Sequence, residues 1–438
     1  MKKNYFKVLA VAIILCAPLL KSWAQDPVQI NNVDDLRNME SYATSDATSV
    51  IVGEFILMAD IDLSDIPDWL PIGKPADWDG TTNANLISFA GTFDGNHHTI
   101  KGLTIKGDGS SFYNFSALFA RISSPTTTQG AAIRNLSLVD VNITGGGAPT
   151  GALGGVMFGL PALANTGCTI ENVSVTGNIQ GTSEVGGIIG RDNNQPRNYI
   201  RNCYVNATVE ATADGVSPAY GAGGIVGCMN SGVLFTIEKS YVAGKVTANP
   251  SNYAAGIIGY TYANNNGSNA SLSMENNAVV ADEISGGTTN LFYNKGPLAD
   301  SKVTLTSHAR NDLDGFTDGT DAPEAFLTQD FYETTLGWDF TEIWQIKEGE
   351  FPIFKWQEYG VTNVGSVKAA GPWKIAGANN AIEVTAFEPL FLSVYDITGK
   401  KLFVGQVDNR ISIPADKGIY ILKLKCAGSE MQEKILVK

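Results

Sequence analysis

The 438-residue chain is short of the residues from which enzymes and metal sites are usually built. It has three histidines (His97, His98 and His308), five cysteines and charged side chains at only 17% of positions. No His-Glu-x-x-His occurs, which excludes that zinc-protease arrangement. A Ser-His-Asp triad would have to use one of the same three rings. The cysteine spacings match no metal-ligand pattern. Basic clusters are also missing: 30 Lys and Arg face 44 Asp and Glu, a formal net charge of −14. Such a chain has no electrostatic footprint for nucleic acid or anionic lipid. No stretch keeps a 3.6-residue apolar period, which excludes helical repeats.

Long hydrophobic runs are equally scarce. Val8–Leu20 is apolar over 13 residues, short of the roughly 20 a membrane span needs. Lys2, Lys3 and Lys7 precede it, and Ser22-Trp23-Ala24 follows with small residues at −3 and −1. This is the layout of a secretory signal peptide, residues 1–24, cleaved after Ala24. Leu15 precedes Cys16 where a lipoprotein signal needs a small residue. The mature chain is thus expected to be exported, with no transmembrane segment. Its cysteines, Cys168, Cys203, Cys228 and Cys426, permit disulfides. Cys203 and Cys228 lie within apolar repeat blocks and read as small buried hydrophobes.

What the sequence does contain is glycine in a repeated setting. Gly154-Gly155-Val156-Met157-Phe158-Gly159 is followed by Gly186-Gly187-Ile188-Ile189-Gly190, Gly223-Gly224-Ile225-Val226-Gly227 and Ala255-Gly256-Ile257-Ile258-Gly259. The second glycines step by 32, 37 and 32 residues. A second block reads Ile133-Arg134-Asn135, Ile170-Glu171-Asn172, Ile200-Arg201-Asn202, Ile237-Glu238-Lys239 and Met274-Glu275-Asn276, with steps of 37, 30, 37 and 37. Short β-branched strands, glycine corners and this period fit one coil of a parallel β-helix, with coils stacked about 4.8 Å apart. A propeller blade would need about 40–50 residues. Glycine is expected at the corners for its tolerance of positive φ and of close backbone approach. In-register stacking would place Arg134, Glu171, Arg201, Glu238 and Glu275 in one charge ladder, with the asparagines in another. Lys239 replaces an asparagine beside the like-charged pair Glu238 and Glu275.

The fold class is therefore all-β: a right-handed parallel β-helix with a short N-terminal capping helix, followed by a small C-terminal β-sandwich. Val28–Tyr42 is expected to cap the first coil, with Asn32 as helix N-cap and Leu36 and Met39 facing the coil. The aromatic segment Trp338–Pro352 is expected to plug the other end. The solenoid with its end caps occupies 25–357, a linker 358–370 and the C-terminal unit 371–438.

Several of these blocks resemble a known family. Phe89-Ala90-Gly91-Thr92-Phe93-Asp94-Gly95-Asn96-His97-His98-Thr99-Ile100, Gly102-Leu103 and Trp69-Leu70-Pro71-Ile72-Gly73 resemble the opening of GLUG-motif proteins. The Gly-Gly-Ile-Ile-Gly blocks resemble the repeat itself, and Trp338–Pro352 its close. The resemblance covers roughly 28–357. It implies a bacterial surface or secreted β-helix in adhesin-like or protease-associated settings, without a shared catalytic site. Val394-Tyr395-Asp396-Ile397-Thr398-Gly399-Lys400, Gly418-Ile419-Tyr420 and Lys434-Ile435-Leu436-Val437-Lys438 resemble the C-terminal sorting domain of Bacteroidetes type IX secretion. The Pro-Asn-Pro that often opens that domain is absent. The resemblance implies contact with the outer-membrane secretion machinery and an extracellular or outer-surface location; without it the protein would stay in the periplasm.

Three sets of residues are candidates for binding or chemistry. Arg191, Asp192, Asn193 and Arg197 follow one glycine block; Tyr260, Tyr262, Asn264 and Asn265 follow another. In-register coils would align these loops on one flank, suited to a glycan or protein ligand. Arg191 beside Asp192 is also the nearest thing to a lyase or hydrolase pair, and a solvated loop is the plain alternative. Asp312, Asp314, Asp318 and Asp321 offer oxygen ligands for a structural Ca²⁺, without the distal glutamate of an EF-hand. No other cofactor is implied. The function expected from the sequence is an exported, adhesin-like binding protein; the alternative is a polysaccharide-active enzyme on the same scaffold.

Overall fold

The computed structural model describes residues 26–44, 49–74, 86–107, 114–124, 130–147, 149–159, 167–193, 197–214, 221–230, 234–262, 271–296, 298–358, 373–378, 381–386, 389–396, 400–416, 418–426 and 429–437. The expected signal peptide, Asn264 and Asn265 and all of the linker after Glu358 lie outside these residues. So do the side chains of Tyr262 and Cys426. The chain divides into two units, 1–362 and 363–438.

The first unit is a parallel β-solenoid. Its strands stack into sheets of fourteen, seven and five strands, and the five-stranded sheet takes one strand from each successive coil. The pairing Ile133↔Ile170↔Ile200↔Ile237↔Met274 sets the register of the long sheet. These side chains point into a lumen that also holds Phe93, Val175, Val205, Ile188 and Ile225, all buried. Mostly apolar side chains fill such a lumen, because each coil packs only against the coils above and below. The glycine blocks align as Gly151↔Gly186↔Gly223↔Ala255. The first block is therefore Gly151-Ala152-Leu153-Gly154-Gly155, three residues earlier than its glycine pair suggests.

The repeat glycines keep one of the two roles expected of them, close approach, and the asparagines add the other to their ladder. None of the glycines in the aligned blocks has positive φ. They are glycine for space: a Cβ on Gly186 would lie 2.0 Å from Ile189 O, and one on Gly227 2.3 Å from Glu184 C. The left-handed corners fall instead on Asn135, Asn172, Asn202, Lys239 and Asn276, with φ of 49–57°. Asparagine tolerates that region better than other side chains. It also forms part of the expected ladder: Asn172 Nδ2 donates to Asn135 Oδ1 at 2.9 Å.

The charge ladder continues upstream to Asp94. Asp94, Arg134, Glu171, Arg201, Glu238 and Glu275 are in register on consecutive coils. Arg134 reaches Asp94 at 2.8 Å and Arg201 reaches Glu171 at 3.0 Å.

A helix, Val33–Asn38, sits at the N-terminal side, with Asn32 Oδ1 accepting from the Asp35 N–H at 3.0 Å. Leu36 and Met39 join the lumen core. At the other end, Leu298 and Leu313 join that core, with Phe316 packed against it. The aromatic segment is not a plug, as expected above, but a strap along the side of the solenoid. His308 meets Phe331 edge to face, Trp338 Nε1 donates to Asn276 O, and Tyr241 OH donates to Pro352 O. Gln357 accepts from Tyr204 OH and donates to Ser174 and Ser137, and Trp356 stacks on His97 at 4.3 Å. The strap thus runs back over successive coils. It buries Tyr241, Trp338, Trp344 and Phe354 in a core separate from the lumen. The outward residues Ser137, Ser174, Tyr204, Tyr241 and Ala278 form its bed.

The second unit consists of a three-stranded and a four-stranded antiparallel sheet among the described residues. Ile382 and Val384 of the first share a core with Leu392, Val394, Leu422 and Leu424 of the second.

Candidate functional site

The strands of the seven- and five-stranded sheets are joined by two-residue corners such as Gly187-Ile188 between Val185–Gly186 and Ile189–Asn193. The repeat glycines let the outer faces of these sheets close on each other, forming a seam along the solenoid. Side chains seven apart meet across it. Glu184 contacts Arg191 at 3.2 Å, and the rings of Tyr253 and Tyr260 lie 4.7 Å apart. One side of the seam is the row Arg121, Val156, Arg191, Cys228, Tyr260 on consecutive coils. The adjoining outward row carries Asn193 and Asn230, joined by a 3.1 Å hydrogen bond, and reaches Tyr262 in register.

The seam pair is electrostatically unusual. Glu184 is 1% exposed, and burial pushes its carboxyl up to about 7, against the pull of Arg191 and of a hydrogen bond with Cys228. Burial and the Glu184 charge together raise the Cys228 thiol well above its ordinary value, so it is no thiolate nucleophile at neutral pH. Cys168 and Cys203 are likewise buried and free, their thiols pushed up to about 12 by burial.

The structure separates the four residues expected after the second glycine block. Arg191 and Asn193 face outward, while Asp192 points into the lumen in the row Ile122, Met157, Asp192, Met229, Thr261. Adjacent residues of a strand face opposite sides, so Arg191 and Asp192 cannot act on one ligand. Asp192 is a buried side chain in a strand, not part of a solvated loop. Its Oδ1 accepts from Asn198 Nδ2 at 2.5 Å, its Oδ2 has no hydrogen-bond partner among the described residues, and burial pushes the carboxyl up to about 8. Arg197 is exposed on the long sheet beside Leu234. Tyr260 belongs to the seam.

The four aspartates do not converge either. Asp312 pairs with Arg310 through both oxygens, Asp321 pairs with His308 at 2.7 Å, and Asp314 and Asp318 are not brought to either. Among the described residues no three His, Cys, Asp or Glu side chains are grouped to hold a metal. No helix among them is long and apolar enough to cross a membrane.

Glu184, Tyr253 and Arg121 were not singled out from the sequence, and Cys228 only as a buried hydrophobe, which it is. The signal for Glu184, Tyr253 and Cys228 is the constant seven-residue offset across the seam, as in Glu184/Arg191, Gly221/Cys228 and Tyr253/Tyr260.

No family model matches the chain. Over 169 residues it is 27% identical to halomucin of Haloquadratum walsbyi, a match covering 38% of this chain; the chain spans 2% of that protein's length. The fold is similar to the crystal structure of a "putative immunoglobulin A1 protease" from Bacteroides ovatus, with TM-score 0.51 and 23% identity over 76% of this chain and 93% of that one. At that identity the likeness concerns the fold.

Proposed function

We propose that this protein is an exported, adhesin-like binding protein, at the cell surface or secreted, that recognises a glycan or protein ligand along the outer seam. The observation that carries the reading is the row Arg121, Arg191, Cys228 and Tyr260, extended by Tyr253. With Val156 between the two arginines, it sets two guanidinium groups and a pair of aromatic rings along one line of the solenoid. A solenoid offers such a row to an extended ligand without any loop having to fold around it. Export rests on the N-terminal leader, and placement outside the cell on the resemblance of 371–438 to the sorting domain. The GLUG-type resemblance, the right-handed sense of the coil, Val28–Tyr42 as N-terminal cap and a sandwich for the C-terminal unit belong to the same reading.

Arrays of glycans and host proteins, immunoglobulin A1 included, test the reading with the full mature chain. Retention of a ligand at unchanged chain length is expected, with affinity reduced at least about tenfold when Tyr253 and Tyr260 are both replaced by alanine. Release of cleaved products by purified protein, abolished in Arg191→Ala, would establish an enzyme instead.

A further inference from the structure

Arginines in the solenoid unit are mostly matched by acids. Arg37, Arg134, Arg191, Arg201 and Arg310 each face a carboxylate. Arg121 does not. It is partly buried, and burial lowers its pKa. Among the described residues its one close partner is the ring of Phe158, with the guanidinium carbon 4.9 Å from the centroid.

The repeat explains why the acid is missing. Ser116, Thr150 and Val185 are in register, so the residues before them, Phe115, Pro149 and Glu184, occupy the same place on three coils. On the Arg191 coil that place holds the neutralising Glu184. On the Arg121 coil it holds Phe115, which clusters with Leu86, Ala120 and Val156 in an apolar wall. A partly desolvated cation against apolar walls is costly unless something pairs with it. It is also the residue type best shaped to grip a planar anion with two parallel N–H groups. Arg191 lies two coils further along the same row, about 10 Å away at roughly 4.8 Å per coil. Glu184 meets the charge of Arg191, so Arg121 is the cation of this row with no carboxylate facing it among the described residues.

We propose that Arg121 anchors an anionic substituent, a carboxylate or a sulfate, of an acidic glycan lying along the seam. This rests on the glycan-binding reading above and specifies its ligand class. The acidic group meets Arg121 between Phe158 and the apolar wall, and the remainder of the chain runs towards Arg191 and the Tyr253/Tyr260 pair.

The test is calorimetric titration of the full mature chain with three probes: oligogalacturonate, a dextran sulfate oligomer and neutral malto-oligosaccharide. Binding of at least one acidic probe is expected, weakened about tenfold or more in Arg121→Met. A merely structural arginine would lower the melting temperature when replaced. An unpaired anchor should leave it unchanged or raise it, while the bound probe raises it in wild type alone. Should Arg121→Met fail to fold, Arg121→Lys decides: it keeps the charge but loses the fork, and weaker acidic-probe binding is expected. The probe preferred tells a carboxylate from a sulfate. Failure of both acidic probes, or binding unchanged in the variants, overturns the assignment. If a neutral glycan or a protein is still bound and lost in the tyrosine double variant, the anion inference alone falls and the binding reading stands.

Discussion

Asp192 makes the stability of the solenoid depend on pH, in a direction opposite to that of most carboxylates. Its ordinary value is 3.8, and burial raises it to about 8, so folding takes up a proton between those values. The folded state binds more protons than the unfolded across this window. Stability should therefore fall as pH rises from about 4 to about 8, and level off beyond. Each pKa unit corresponds to about 1.4 kcal/mol, which bounds the loss at roughly 5–6 kcal/mol; local relaxation and water entry make about 2–5 kcal/mol the working range. Asp192→Asn keeps the acceptor for Asn198 Nδ2 and removes the titration. Urea unfolding followed by tryptophan fluorescence, from about pH 5 to about pH 9, should show the variant gaining on wild type as pH rises. Glu184, raised to about 7, tilts both proteins alike and cancels in the difference. Parallel profiles across that range would refute the buried, protonated acid. As a control, Asp192→Met strands the Asn198 donor and should be about 1–3 kcal/mol less stable than Asp192→Asn at every pH.

Gly227→Ala should abolish or severely weaken folding, because its Cβ would sit 2.3 Å from backbone of the preceding coil, and circular dichroism of the purified variant checks this. Lys239→Asn places the preferred residue at a left-handed corner, φ 49°, and should raise stability by about 0.5–1 kcal/mol in thermal unfolding. Glu171→Lys puts three cations in a row with Arg134 and Arg201; with these side chains partly exposed the cost should be about 1 kcal/mol, falling at high salt. Trp344→Ala removes a fully buried ring from the strap and should cost about 3–5 kcal/mol locally, seen as earlier proteolysis within 325–357 while the lumen stays folded.

The coil and its register were readable because they repeat. Ile133, Ile170, Ile200, Ile237 and Met274 announce one lumen position, and the alternating Arg134, Glu171 and Arg201 announce the outward one beside it. Two things could not be separated in advance because a residue type has more than one use. Glycine serves either positive φ or close approach, and sequence does not say which; here the sheets close on each other and asparagine takes the corners. The strap was misread because aromatic residues near the end of a solenoid fit a plug as well as a flank. Its bed of Ser137, Ser174, Tyr204 and Tyr241 looks like any outward row until Gln357 and Trp344 are seen against it. The coil containing Ser116-Ala117-Leu118-Phe119-Ala120 escaped notice because alanine and phenylalanine stand where later coils have glycine. With it went Arg121.

The coil that departs most from the pattern is the one running from Gly186 to Arg201, with Glu184 at its entrance. Inside the lumen, where its neighbours carry Met157, Met229 and Phe235, it carries Asp192 and Asn198 hydrogen-bonded to each other. Outside, it carries Glu184 and Arg191 across the seam. Each departure alone would be an unpaired polar burial; together they are two pairs, Asp192 with Asn198 and Glu184 with Arg191. A solenoid tolerates this because stability is shared between nearest-neighbour interfaces, and the coils above and below keep apolar contacts around the exception. Sequences break their own pattern chiefly where something other than folding is being selected. The seam lies on the outer side of that coil, and Arg121 two coils earlier keeps the cation while dropping the acid. Among the described residues the same position is thus self-neutralised on one coil and without an acid on another, which is what the proposed anion site requires.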